Sequence, residues 1–278
     1  MSIKSMMVQL KKRIFSIKMI VLLVIWIFMM DISLSGFRSS AMTLGEKDVA
    51  VVLPFLQNGF YFMKTILLGA LCFYSDVPFM QQDEMYYIAR MGRGRWGLRN
   101  IVVILLNSFL LSLSLFAISV LGILPVARFS GGWGSIYKTF SALPQTMGNN
   151  LQINYAIIYK YTPAELTIHI ILIDTLAFAF MAMVLYAVSL CASRMAAYAI
   201  AVILVFMPSI IGKFPQYNLH GISPFSWMQT IYWRNGNNLN NPDMVYIYTG
   251  YLLLIFIFAV LAQNRIRKID WKALEDNR

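Results

Sequence analysis

Apolar residues in this chain gather in runs of about twenty, separated by short polar and basic connections. A helix rising 1.5 Å per residue needs roughly 20 apolar residues to cross about 30 Å of hydrocarbon. Six such runs are present: Ile17–Leu34, Phe55–Ser75, Ile101–Leu124, Leu166–Cys191, Ala196–Ile211 and Val245–Ala262. The pattern predicts an all-α integral membrane protein of six transmembrane helices. The fifth run is short, and Pro208 interrupts its far end, because proline lacks the amide that continues a helix.

Basic residues orient these spans. Lysine and arginine accumulate on the cytoplasmic side of membrane proteins. Fifteen fall on the side holding the N-terminal tail, the second-to-third connection (76–100), the short turn with Arg194 and the C-terminal tail (263–278). The opposite side, holding segments 126–165 and 212–244, has seven. Both termini are therefore expected in the cytoplasm.

Composition agrees with this reading. Hydrophobic residues make up 59% of the chain and charged residues 13%, against about 45–50% and about 25% in soluble domains. No stretch of soluble composition is long enough for a separate domain, so residues 1–278 read as one transmembrane domain. The net charge of +11 would suggest nucleic acid in a soluble protein. Here the charges lie between apolar spans, so the partner they suit is anionic lipid. Cys72 and Cys191 show no paired spacing and read as reduced packing residues.

The N-terminus combines a basic region, an apolar run and small residues at Ser33, Ser35 and Gly36, as a signal peptide would. Asp31 interrupts that arrangement, which favours a retained first span. Before it, Val8, Leu10, Ile14 and Phe15 alternate with Lys11, Lys12 and Arg13. That suits an amphipathic helix over residues 1–16 lying in the interface, or a basic tail that only sets topology.

The connection from Ser75 to Ile101 predicts a short helix. Pro78 suits its start, Asp83 and Glu84 its early turns, and Gly92 and Gly94 its end. Met85, Ile88 and Ala89 share one face. No core of the chain is expected to cover that face, so lipid or a partner's groove would receive it. Gly92, Gly94 and Gly97 spell GxGxxG, but the dinucleotide fingerprint needs a preceding strand and a later acid. The motif therefore reads as a flexible basic turn.

Residues 84–96 (EMYYIARMGRGRW) resemble the first cytoplasmic loop of ABC-2 type transporter permeases, the transmembrane subunits of ABC exporters. Residues 222–227 (ISPFSW) resemble the stretch where that family carries short external re-entrant helices. The resemblance implies that the cytoplasmic loop holds a coupling helix, docked on a separate ABC ATP-binding subunit, with Glu84, Tyr86, Tyr87, Arg90 and Arg93 as coupling residues. It further implies a second permease subunit, identical or homologous, and location in the cytoplasmic membrane. The chain departs from the family in its long external segment 126–165. It has no GxxxxGK[ST] loop, so ATP and magnesium would belong to the partner and not to this chain.

Two ionisable residues fall inside predicted spans: Lys64 and Asp174. A lone charge at mid-bilayer is costly, and such residues pair, face a wet pathway or snorkel. The two lie at similar predicted depth and form either an ion pair or two groups of a translocation pathway. The alternative has Lys64 reaching outward and Asp174 near the interface.

No Ser-His-Asp set, paired carboxylates or nucleophile elbow appears, which argues against an enzyme. His169 and His220 lack the companions of a metal site. Trp133, Tyr137, Tyr155, Tyr159, Tyr161, Trp227, Tyr232 and Trp233 read as an interfacial belt. The function that the resemblance to ABC-2 permeases implies is ATP-driven export, and the aromatic outer face and apolar spans suit an amphipathic substrate such as a peptide, lipid-like compound or antibiotic. The alternatives are an ion-coupled secondary transporter and a non-transporting sensor or immunity protein.

Overall fold

Ser16 starts the first long helix. Its backbone is extended and its hydroxyl accepts from the Met19 amide, so the chain turns cleanly out of α1 (Ile3–Ile14) into α2 (Ile17–Leu44). Gly45, at φ 65°, closes α2 by returning its N–H to the carbonyls of Ala41 and Met42, a left-handed stop that glycine adopts without Cβ strain. The computed structural model describes residues 3–77, 88, 92–128, 130–142, 151–214, 219–235 and 241–268.

Beyond α2 come strand β1 (Asp48–Val49), α3 (Leu53–Leu56) and α4 (Phe60–Phe73), followed by a 3-10 turn over Tyr74–Asp76. Next are α5 (Arg93–Ile123), β2 (Ala127–Arg128), α6 (Ser135–Ala142) and α7 (Tyr155–Lys160). Helices α8 (Pro163–Cys191) and α9 (Arg194–Ile211) lead to 3-10 turns at Leu219–Gly221, Pro224–Met228 and Thr230–Tyr232, and α10 (Met244–Lys268) completes the order. Helices α2, α5, α8, α9 and α10 are each long and apolar enough to cross a membrane. This is an all-α, multi-pass membrane protein.

Helix α8 forms the centre. Thr162 and Glu165 close a reciprocal capping box at its start, and every residue from Ala177 to Ala187 is buried. It packs against α5, α9 and α10, as a helix apolar all round must. Peripheral α10 instead exposes Leu252, Leu253, Phe256, Ile257 and Leu261, a face that suits hydrocarbon.

Polar contacts align the helix ends. Lys18 pairs with Asp76 at 2.5 Å, Gln263 donates to the Gly94 carbonyl at 2.8 Å, and Arg265 donates to the Leu190 carbonyl at 3.2 Å. The starts of α2 and α5 and the ends of α4, α8 and α10 thus share one face, which we call the basic face.

Several sequence expectations shift. Helix α2 continues to Leu44 rather than ending near Leu34, because Asp31 pairs with Arg38, whose guanidinium also reaches the Gly122 carbonyl at 3.3 Å. Each charge thereby finds a partner on the helix surface. Helix α5 begins at Arg93, so Gly94 and Gly97 are helical rather than part of a flexible turn. A Cβ on Gly97 would stand 2.3 Å from Gln263 Oε1 and 2.9 Å from Ile266 Cδ1. Gly97 thus lets α5 and α10 approach closely. Both cysteines are free, as expected, but lie exposed rather than packed.

The second predicted span is not one helix. At 14 residues, α4 reaches only about 21 Å. The buried four-residue α3 precedes it, separated by a break at Gln57–Gly59, and α4 is not among the five helices long and apolar enough to cross a membrane.

The described parts of segment 126–165 (126–128, 130–142 and 151–165) form a cap on the face opposite the basic one. β2 pairs in parallel with β1, placing Asp48 opposite Ala127. Buried Asp48 accepts from the amides of Val49 at 2.6 Å, Gly134 at 2.8 Å and Tyr137 at 3.0 Å, fixing the start of α6. Around it Phe37, Phe55, Trp133 and Tyr137 pack with ring centroids 5.2–5.7 Å apart. Trp133, Tyr137, Trp227 and Trp233 are buried, so they form a core where an exposed belt was expected. Tyr155 and Tyr159 remain exposed on α7.

Candidate functional site

The break between α3 and α4 gathers a buried set of polar contacts. Helix α3 ends at Leu56, and Gly59 restarts the chain as α4. Broken backbone in an apolar core must find new hydrogen-bond partners. Gln229 supplies them, its amide donating to the carbonyls of Gln57 at 3.2 Å and Asn58 at 3.3 Å. Thr230 adds its hydroxyl, which reaches the Pro54 carbonyl at 3.4 Å and Asn58 Oδ1 at 3.2 Å. The Asn58 amide donates to Thr230 Oγ1 at 2.9 Å and to the Gln152 carbonyl at 2.8 Å. The broken passage is therefore laced to the segment that precedes α10.

Asp174 of α8 faces this break and is fully buried. The Gln57 side-chain amide donates to its two oxygens at 2.9 and 2.7 Å. Asp174 lies eleven residues past Pro163, about 16 Å down the helix.

Lys64 has a different environment. It is 7% exposed and donates to the Val205 carbonyl of α9 at 2.5 Å, with its ammonium 5.7 Å from the Phe60 ring centroid and 5.5 Å from that of Phe206. This bond ties α4 to α9 just before Pro208. It neither snorkels outward nor pairs with Asp174: no ion pair joins them among the described residues.

Glu84, Tyr86, Tyr87 and Arg90 lie outside the described residues. Arg93 is the first residue of α5, immediately after Gly92 at φ 81°. The Gly92 amide donates to the Ile88 carbonyl at 2.9 Å, while the helix expected before it lies outside the described residues. Ile88 itself is buried in the chain's own core, so at this position the expected unpartnered apolar face is covered from within.

On the cap side, Pro224–Met228 is wholly buried and packs on α8, α9 and α10. Phe225 meets Phe180 with centroids 5.8 Å apart, and Phe180 lies seventeen residues past the start of α8. Tyr251 anchors the turn by donating to the Pro224 carbonyl at 2.6 Å. His220 stacks on Tyr232 at 3.6 Å, and burial holds its imidazole below the ordinary value of 6.5. Burial pushes the Tyr137 phenol well above its usual range, and the Asp48 carboxylate adds to the effect.

His169 bonds Tyr248 at 2.7 Å. Among the described residues no cluster of three His, Cys, Asp or Glu could hold a metal. The sequence signals marked Asp174 and Lys64, each an ionisable residue in an apolar run. They did not mark Gln57 and Asn58, uncharged polar residues inside the second predicted span, or Gln229 and Thr230 in the external segment 212–244. No family model, no curated protein and no solved structure matches this chain.

Proposed function

We propose that this chain is the transmembrane permease subunit of an ATP-driven exporter of the ABC-2 type, crossing the cytoplasmic membrane six times with both termini inside. The observation that supports the reading best is the buried turn Pro224–Met228, which enters the bundle between α9 and α10 and meets α8 deep inside it. It coincides with residues 222–227, where the resemblance implies a re-entrant element. Helix α1 packs on the beginning of α5, which suits an interfacial helix beside the cytoplasmic loop.

In this reading a separate ATP-binding subunit carries ATP and magnesium and presses on the segment around Glu84, Tyr86, Tyr87, Arg90 and Arg93. Displacement passes through the joint at Gly92 into α5, which packs on α2, α8 and α10. A second permease subunit completes the pathway, and the substrate is amphipathic.

The test is a mild-detergent pull-down of this chain with the products of its neighbouring genes. A stoichiometric P-loop ATPase that dissociates when the five coupling residues become alanine supports the reading. No ATPase, together with no ATP-dependent transport in liposomes, overturns it.

The broken second passage favours one other reading, an ion-coupled transporter. Discontinuous helices around buried polar groups recur at the binding sites of such proteins.

A further inference from the structure

Asp174 and Gln57 are left one donor short. Both are fully buried. The Gln57 amide nitrogen serves both Asp174 oxygens, while the Oε1 of the same amide, also buried, has no partner among the described residues. Lys64, the counter-charge that the sequence suggested, is engaged with Val205. A carboxylate in an apolar interior is costly without a cation, and a buried acceptor without a donor adds to the cost. One positive charge, small enough to sit between an acid and an amide, would satisfy both groups.

We propose that Asp174 is a proton-binding site, and that Gln57 Oε1 accepts the hydrogen bond from the proton Asp174 carries. In the loaded state the Asp174 O–H donates to Gln57 Oε1, while the Gln57 N–H donates to the remaining Asp174 oxygen. On release the proton returns to water, and both carboxylate oxygens share the amide hydrogens, as in the geometry seen. A turn about the terminal torsion of Gln57, which is soft, interconverts the two. A metal cation fits less well. The break carbonyls of Pro54, Gln57 and Asn58 already accept from Thr230 and Gln229, whereas calcium takes roughly six to eight oxygens.

The surrounding elements bring few competing charges. Helix α4 brings Lys64. Helix α10 brings Tyr251, bound to the Pro224 carbonyl, and Tyr248, bound to His169 of α8 itself. Helix α9 carries its one charge, Arg194, at the far end, and Tyr198 there donates to the Ser75 carbonyl. Helix α5 contributes Ser112, which donates to the Ile171 carbonyl, and its arginines lie at its basic-face start. His220 and Tyr232 stack on each other in the segment before α10. Because Gln57 is the first residue of the break, and the break is tied to Gln229, loading Asp174 is felt by α3, α4 and the turn beneath the cap. The inference does not rest on ATP-driven transport, and its test uses no ATPase.

Infrared spectra of the purified chain in liposomes, recorded from pH 5 to pH 10, read the carboxylic-acid C=O stretch directly. The expected result is an acid band that shifts on ¹³C-aspartate labelling and is lost reversibly as pH rises. It should be absent in Asp174→Asn and displaced in Gln57→Leu. If Asp174→Asn fails to fold, the isotope shift in the wild type and the Gln57→Leu displacement keep the test decisive. A band unchanged across the range, no aspartic-acid band at any pH, or a band abolished by sodium at fixed pH would each overturn the proposal.

Discussion

The Lys64 ammonium donates to the Val205 carbonyl at 2.5 Å, across the contact between α4 and α9. Lys64 thus takes a partner other than Asp174 of α8, and no ion pair joins the two among the described residues. Each therefore contributes to stability through its own partner. Lys64→Met removes a charge-assisted hydrogen bond to the Val205 carbonyl and should cost about 1–3 kcal/mol. Combined with Asp174→Asn, the effects should add within about 0.5 kcal/mol. Thermal unfolding of the four proteins in detergent measures this, and rescue in the double variant would mean the two residues pair.

Asp48 holds the cap by accepting from the Gly134 and Tyr137 amides. Asp48→Ala removes both acceptors at the start of α6 and should cost about 1–2 kcal/mol, the range for a lost helix cap. The loss is local. Limited proteolysis should cut segment 126–165 faster, while the far-ultraviolet dichroism of the transmembrane helices stays unchanged.

Gly94 and Gly97 should respond differently to substitution. A Cβ at Gly94 meets Gln263 Nε2 at 3.5 Å, an ordinary contact, while one at Gly97 comes within 2.9 Å of Ile266 Cδ1. Gly94→Ala should be tolerated or mildly stabilising, since alanine favours helix by about 1 kcal/mol. Gly97→Val forces α5 and α10 apart and should cost about 1–3 kcal/mol. Size-exclusion stability after heating separates the two outcomes.

His220 predicts a pH dependence. Burial lowers its folded-state value below the ordinary 6.5, so the unfolded chain takes up the proton first and stability falls as pH drops below about 6.5. His220→Phe keeps a ring against Tyr232 and removes the titration. The melting temperature of the wild type should fall more between pH 7 and pH 5 than that of the variant.

How far the sequence can be read depends on how local the signal is. The helices around Trp26, Leu111, Phe178 and Leu253 were legible because lipid imposes length and apolarity on each stretch separately. The ends were less so. Arg38 looked like a loop residue and proved helical once its partners Asp31 and Gly122 were in place. The aromatics of the cap looked like a belt because composition alone cannot tell a ring facing headgroups from one facing Phe37.

The site shows the same division. Asp174 stood out as a charge in an apolar run. Its partner Gln57 lies 117 residues away, and no pattern along the chain links them.

By itself, the sequence determined that the protein is helical, that it belongs in a membrane, and roughly where its long helices run. These are properties of single segments against one solvent. Only the tertiary structure decided that the second predicted span breaks at Gln57, that Gln229 and Thr230 satisfy the break, and that Lys64 and Asp174 take separate partners. Hydrogen bonds in an apolar interior are settled by which donors and acceptors meet in space, and that is a property of packing between segments.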